Sequence, residues 1–476
     1  MPVATDAEAR VVPHPGGGSP LARIGWLLPP LVLTLVALKP LGPVKDPDAF
    51  WHVVAGGHLV STGQFVLDDP FGAATEKTWI LNQWLPEVLM HRAYAAYGLA
   101  GVAWLLCLGS LIIGMSVLAA CRRRASPLAS ALVLAVTFVA LSGSLSPRPQ
   151  LVTFALTAVT TSAWLLTRDD GRVRWWLVPV TWLWACSHGM WFVGPVVGVV
   201  VIVGMVAERR APIREGVRLG LVPVLSVAAA AVTPVGPRLF TSPFQVEGVT
   251  AFITEWQRPS LTDPPVLAAL ALMVPVAVQL IRHRRRGWTT VLLGLLALGL
   301  VSTWSRTVGL GAVILAPLAA TAIQDLVHEP VVGPGRLERA GLTLSAIGSL
   351  VVAALLSPTV AAVPAIGPNG LDEALDRLPA GTVVCNDQAD GGWLMLQHPG
   401  LRPTMDTRVE LYSVEHILAY LGFIAADDGW QSYPARVGCS YAVLPVDVAV
   451  VHVMRPPGSW IDVGHSGGYV LLRSSR

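Results

Sequence analysis

Two carboxylates two residues apart, Asp46 and Asp48, stand with Trp51 and His52 at the point where the first apolar segment of the chain ends. Acids in such a place can take a proton from a hydroxyl nucleophile or hold a divalent metal, and a nearby histidine can share the acid/base work. Further polar residues fall just beyond the ends of later apolar segments: Asp69, Arg148, His188, Arg238, Glu255, Arg258 and Arg306. Arginine clamps phosphate with a fixed fork of donors. Two acids with several Arg and His opposite them are what an acid/base step on an anionic phosphate substrate needs.

Each residue also has a plain structural reading. Asp46-Pro47-Asp48 suits a turn and an N-cap, which accounts for one of the two acids. Arg148, between Pro147 and Pro149, and Arg306, after Trp304, suit headgroup anchors at helix ends. His188 suits an interhelical hydrogen bond, and Arg238 a structured turn. Glu255 and Arg258 suit a local ion pair worth under about 1 kcal/mol.

The elements that must position these residues are membrane helices. Of the 476 residues 53% are hydrophobic and 13% charged, against about 25% charged in a soluble domain, and mean hydropathy is +0.59. A net charge of +3 points to no nucleic-acid partner, and the five cysteines show no CxxC or metal-ligand spacing. Spans of about 20 apolar residues are expected at 24–43, 98–120, 127–144, 150–167, 174–187, 190–207, 217–233, 265–281, 288–303, 307–323 and 340–357. The segments either side of Ser187-His188-Gly189 read as one broken helix or two short ones. Basic clusters Arg122–Arg124, Arg168–Arg174, Arg209–Arg218, Arg282–Arg286 and Arg336–Arg339 fall in alternate loops, which by the positive-inside rule face the cytoplasm. Residues 1–23 then form a disordered cytoplasmic tail, and the other loops and the C-terminal tail face outward. Within the first outer loop, 44–97, residues 48–62 and 83–96 read as short amphipathic helices lying flat at the headgroups.

After Pro364 the composition becomes that of a soluble domain. Thr382–Cys385, Tyr441–Leu444 and Tyr469–Leu472 read as strands, and Leu371–Leu378 and Val414–Tyr420 as helices, which predicts an α/β layer domain over 365–476. It holds Cys385 and Cys439, for which a disulfide and plain core packing are both open.

Asp46-Pro47-Asp48-x-x-Trp51-His52, Gly63, Asp69-Pro70-Phe71 and Trp79 to Glu87 resemble the first outer loop of a large bacterial family of polytopic proteins. Arg148-Pro149-Gln150, Trp184-x-x-x-His188-Gly189, Pro234-x-Gly236-x-Arg238, Glu255-Trp256 and Asp390-Gly391-Gly392 continue the resemblance over nearly the whole chain. That family is similar to the GT-C glycosyltransferases, which include protein mannosyltransferases, lipid A aminoarabinose transferases and oligosaccharyltransferases.

The resemblance implies a multi-pass protein of the bacterial plasma membrane, with a GT-C-like helical domain over 24–357 and an extracytoplasmic α/β domain. It implies a polyprenyl-phosphate sugar as donor and a glycan, lipid or protein as acceptor. Asp48 or Asp46 would act as base, or hold a divalent metal (Mg or Mn) in the manner of some members. Arg148 or Arg306 would hold the donor phosphate, with His188, His52, Glu255 and Arg258 around the substrate. No GxGxxG or Walker loop calls for a nucleotide. A transporter or lipid flippase is the first alternative, although its usual internal repeat is not evident. A non-catalytic, glycan-binding assembly protein of the same fold is the second.

Overall fold

The computed structural model describes residues 25–241, 248–282, 287–327, 331–455 and 459–475. The expected tail 1–23 and the basic residues 283–286 lie outside them. Every expected span coincides with a helix: α1 (Leu28–Leu38), α3 (Trp84–Arg122), α4 (Pro127–Leu141), α5 (Gln150–Asp170), α6 (Leu177–Ala185), α7 (Val193–Ala207), α8 (Ile213–Ala230), α9 (Pro264–Arg282), α10 (Trp288–Thr303), α11 (Val308–Val327) and α12 (Arg336–Val360). α2 (Asp48–Thr62) lies in the first long loop. Among the described residues, seven helical segments are long and apolar enough to cross a membrane; Gly25–Leu38 and Trp288–Thr303 are shorter apolar helices, and Leu177–Ala185 and Ile213–Ala230 are not among the seven, so four of the eleven expected spans fall on helices that do not meet this measure. At Ser187-His188-Gly189 the chain makes two helices, α6 and α7, and not one broken one.

α3 joins two expected elements, the loop helix 83–96 and the span 98–120, through a kink at Gly98 with φ +60° and ψ −149°. That backbone region is open essentially to glycine alone.

The basic loops gather at one end of the bundle and are tied by ion pairs. Arg122 makes a two-pronged contact to Glu338 at 2.6 and 2.9 Å, both side chains being buried. Arg124 reaches Asp169 at 2.6 Å, and Glu208 takes Arg168 at 3.5 Å and Arg210 at 2.8 Å. α5, 21 residues long, has Asp169 near that end and Arg148 just before its start at the other, a separation of about 30 Å at 1.5 Å per residue.

At this second end sits the C-terminal domain. Its sheet has strand order β4-β3-β5-β7-β6, with β3 (Val383–Asn386), β4 (Arg402–Pro403), β5 (Tyr441–Pro445), β6 (Trp460–Ser466) and β7 (Tyr469–Ser474). β3 pairs parallel with β4 and β5, and β7 antiparallel with β5 and β6. Helices α13 (Asp372–Asp376), α14 (Gly391–Gln397), α15 (Val414–Ala425), α16 (Ser432–Val437) and α17 (Ala449–Met454) complete the layers. Cys385 and Cys439 form a disulfide, their Cα atoms 5.8 Å apart.

α2 does not lie flat with one face exposed, as its amphipathic pattern suggested. Ala49, Phe50, Trp51, His52, Val53, Ala55, Gly56 and Leu59 are all buried, so most of its surface is covered. Phe50 and Val53 share a core with Met90 of α3 and with Val384, Trp393 and Leu471 of the C-terminal domain. Trp51, Leu59, Leu67 and Trp79 share a second core with Met405, Tyr412 and Ile417. The first long loop is therefore the layer that joins bundle to tail. A hairpin pair of β1 (Val66–Leu67) and β2 (Trp79–Ile80) lies within it.

Candidate functional site

Asp46 precedes α2 and does two things at once. Its Oδ1 accepts the Asp48 amide at 2.9 Å, capping the helix start, and its Oδ2 accepts Arg148 Nε at 2.5 Å. Asp48, the first residue of α2, takes Arg148 Nη1 on Oδ2 at 2.9 Å. Glu255, in a 3-10 turn over Thr254–Trp256, takes the same nitrogen at 2.7 Å. Three loops distant in sequence thus converge on one guanidinium. Burial works against the charge on Arg148, but Asp48, Asp46 and Glu255 outweigh it and hold its pKa above the ordinary value.

Arg306 lies in a 3-10 turn before α11, its guanidinium 5.2 Å from the centre of the Trp256 ring. Trp256 in turn meets Trp304 edge-on at 5.2 Å. Among the described residues Arg306 has no ion pair, while Arg148 has three. His52, one turn beyond Asp48, is bound through Nδ1 to Glu87 at 2.9 Å, both side chains being buried. His188 caps the turn into α7. Its Nδ1 accepts from the Thr153 hydroxyl at 2.9 Å and from the Met190 amide at 3.3 Å, which leaves the ring proton on Nε2. The Trp184 indole donates to the same Thr153 oxygen at 2.7 Å.

Asp48, His52, Arg148, His188, Glu255 and Arg306 line one cavity of about 1220 Å³ between the bundle and the C-terminal domain. Arg258 and Arg238 are exposed and outside that lining, Arg238 in the structured turn Gly236–Phe240. The local Glu255–Arg258 pair is not formed, because Glu255 turns to Arg148.

Asp69 is also outside the lining. It binds Arg408 through both oxygens at 3.1 Å, both side chains fully enclosed. Arg408 meets Asp406 at 2.8 and 3.0 Å and stacks 4.3 Å from the Trp79 ring, and Tyr412 donates to Asp406 at 2.7 Å. Asp69 thus fastens the first loop to the C-terminal domain. α14 packs on the same loop: a Cβ at Gly392 would lie 2.9 Å from the Pro47 carbonyl oxygen and 3.3 Å from the Trp51 nitrogen. That contact accounts for the second glycine of Asp390-Gly391-Gly392.

Sequence reasoning missed the C-terminal domain's share of the cavity: Asp387, Gln388, Thr407 and Glu410. Burial, with the charges of Asp406 and Asp48 adding to it, pushes the Glu410 carboxyl up to about 7. The signal available was positional. Asp387 and Gln388 follow β3 and Thr407 to Glu410 follow β4, at the carboxyl ends of parallel strands where α/β sheets bind ligands.

Among the described residues no three His, Cys, Asp or Glu side chains group as metal ligands would. Asp46, Asp48 and Glu255 do converge, but on Arg148, so as placed they do not offer a cation site.

No protein-family model and no curated protein matches the sequence. The fold does match solved structures. The apo oligosaccharyltransferase of Archaeoglobus fulgidus aligns with TM-score 0.59 and 12% identity over 90% of this chain and 70% of that one. The same enzyme tethered to an acceptor peptide with an NVT sequon gives 0.56 and 11%, with the same coverage. ArnT of Cupriavidus metallidurans bound to undecaprenyl phosphate gives 0.51 and 15% over 95% of this chain and 98% of that one. The chain shares the fold of these structures, and it joins multiple apolar helices to a C-terminal sheet domain.

Proposed function

We propose that this chain is a membrane glycosyltransferase. It moves a sugar from a polyprenyl-phosphate donor to a cell-envelope acceptor at the outer face of the bacterial plasma membrane. The observation that carries the reading is the division of the two arginines in one cavity. Arg148 is saturated by carboxylates, whereas among the described residues Arg306 has no ion pair, and it stands against an aromatic wall. The donor phosphate sits at Arg306. Its polyprenyl chain follows the apolar side of the cavity, where Phe192, Phe252, Ile253, Trp256 and Trp304 lie. A GT-C neighbour crystallised with undecaprenyl phosphate and another with a tethered acceptor peptide support this pairing of donor and acceptor.

Asp48 is the base. One of its oxygens is fixed by Arg148, and among the described residues the other makes no hydrogen bond. It takes the proton of the acceptor hydroxyl as that oxygen bonds to the anomeric carbon. The bond from that carbon to the phosphate oxygen breaks, and the electron pair leaves with the phosphate beside Arg306. Asp46 and Arg148 position Asp48. Glu87 and Thr153 hold the rings of His52 and His188 against the cavity wall.

The test is sugar transfer by the full chain in lipid nanodiscs, offered labelled polyprenyl-phosphate sugars and a membrane extract as acceptor. Asp48→Asn should abolish turnover but retain donor binding. Arg306→Gln should weaken donor binding about 10-fold or more, the loss of one charge-assisted contact. Donor bound with no turnover in wild type would favour the assembly protein. Neither binding nor turnover would return the argument to transport.

A further inference from the structure

The cavity is lined from two sides, each mixing polar and apolar residues. On the bundle side are Arg306 and the aromatic and aliphatic residues around it. On the other side the C-terminal domain presents Asp387, Gln388, Thr407 and Glu410, all half-buried. We propose that this second wall is the acceptor subsite and that the acceptor is a hydroxyl-rich carbohydrate, with Glu410 and Gln388 its principal hydrogen-bonding residues. The inference rests on the glycosyltransferase reading and adds the acceptor's class and place.

Three observations carry it. First, among the described residues Glu410 is the one carboxylate of the cavity without an ion pair or a hydrogen bond to another residue. Asp48 and Glu255 are held by Arg148, Glu87 by His52, and Asp387 caps the Ala389 amide at 2.9 Å. The Gln388 side-chain amide likewise has no partner among them, and the Thr407 oxygen, which accepts from Trp51 at 3.1 Å, keeps its own hydroxyl proton to give. Polar groups that line the cavity and are not committed to the protein are free to bond a ligand.

Second, these side chains are held in place. Glu410 is two residues beyond Arg408, whose guanidinium is locked by Asp69, Asp406 and Trp79. The Gln388 backbone amide donates to the buried Tyr420 hydroxyl at 2.7 Å, and Asp387 fixes the turn that follows β3. Third, both segments lie at the carboxyl ends of parallel strands, where this class of sheet binds its ligands.

The chemistry selects among acceptors. Asp387 and Glu410 disfavour a second anion, and an apolar chain would offer no hydrogen bond to Glu410 or Gln388. A hydroxyl both donates and accepts, so it satisfies a carboxylate, an amide oxygen and an amide NH₂ with one group. The pKa of Glu410, near neutrality, lets that carboxyl pair with hydroxyls in either protonation state.

The experiment uses the full chain in nanodiscs with mannotetraose, maltotetraose and arabinotetraose as probes and an uncharged octapeptide as control. Saturation-transfer NMR reads acceptor binding without donor, labelled polyprenyl-phosphate sugar reads donor binding, and the transfer assay reads acceptor KM. At least one oligosaccharide should bind wild type, with KM raised about 10-fold in Glu410→Gln and again in Gln388→Ala, while donor affinity stays within twofold. Retained donor affinity shows that the variants are folded. Wild-type binding of the octapeptide but of none of the sugars overturns the acceptor class. Sugar binding unchanged in both variants overturns the assigned wall. Failure of wild type to bind any donor overturns the underlying reading instead. The oligosaccharide measurement, made without donor, then supports or overturns the subsite on its own.

Discussion

Asp69→Ala tests whether the first loop and the C-terminal domain are one structural unit. Asp69 is exposed to solvent only through its backbone. Its carboxylate is enclosed and spends both oxygens on Arg408 at 3.1 Å, while also receiving the Gly72 amide at 3.0 Å. Removing one partner of a buried pair costs about 3–5 kcal/mol. Arg408 keeps Asp406, so the lower end applies, about 3 kcal/mol. The docked form should therefore open about 100-fold more often, at 1.4 kcal/mol per factor of ten. Native-state proteolysis reads that population directly when opening is fast relative to cleavage. Cleavage between the bundle and the C-terminal domain should be about 100-fold faster in Asp69→Ala. Asp68→Ala, one residue earlier and exposed, should cleave as wild type does. The pH dependence carries a sign. Burial raises the Asp406 pKa, but Arg408 and its hydrogen bonds overcome that and hold it below the ordinary value. That pair lies within the C-terminal domain, so its contribution to the domain's stability is present at neutral pH and is lost only as pH falls through that depressed pKa. An Asp69→Ala protein cleaved within twofold of wild type at neutral pH would refute the reasoning.

Cys385→Ser should destabilise the C-terminal domain by about 4 kcal/mol, the chain-entropy value for a bridge spanning 54 residues, read as faster proteolysis within residues 365–475. Asp390 is buried, with Tyr469 on one oxygen at 3.1 Å and, among the described residues, no partner on the other. Burial and the nearby Asp387 push its pKa up to about 7. Its folded value lies above the unfolded one, so stability falls as pH rises from about 4 to about 7. Asp390→Asn should therefore raise the domain's melting temperature at pH 8, by up to ~4 kcal/mol in free energy, and leave it unchanged near pH 4. Transfer activity should survive EDTA, since Arg148 already satisfies Asp46, Asp48 and Glu255. A loss restored by Mg²⁺ or Mn²⁺ would mean that Arg148 gives up its place to the ion.

The helices were legible because lipid forces long apolar runs and leaves charge to the loops. The basic clusters Arg122–Arg124, Arg168–Arg174 and Arg336–Arg339 gather at one end as their alternation required. The strands around Val384, Val443 and Leu471 were legible from short apolar runs between turn residues. What sequence could not show is which loops meet. Asp69 is 339 residues from Arg408 and Asp46 is 102 from Arg148, and no local pattern encodes either pairing. The amphipathic pattern of α2 misled for the same reason. Phe50 and Val53 pack on a domain more than 300 residues later, and Trp51 and Leu59 join a second core with it, so the pattern of a surface helix belongs to a buried one.

Under the proposed function, the same point favours one of the two arginines that the sequence left equal. Read alone, Arg148 and Arg306 are equal candidates for the phosphate clamp. Their neighbours separate them. Three carboxylates on the Arg148 guanidinium leave a formal charge of −2 around it, and a phosphate brought there would meet repulsion on every open side. Among the described residues Arg306 has no ion pair and stands against the Trp256 ring, with Glu255, Asp48 and Glu410 acting on it only at longer range, and a guanidinium on an aromatic ring keeps its in-plane donors free for a planar or tetrahedral anion. Phosphate at Arg306 also puts the leaving group at the aromatic wall and turns the anomeric carbon toward the carboxylates. Arg148 then serves the base and not the leaving group. Removing Arg148 should accordingly lower kcat and leave donor affinity nearly intact, the reverse of removing Arg306. Equal losses of donor affinity in the two variants would contradict this division.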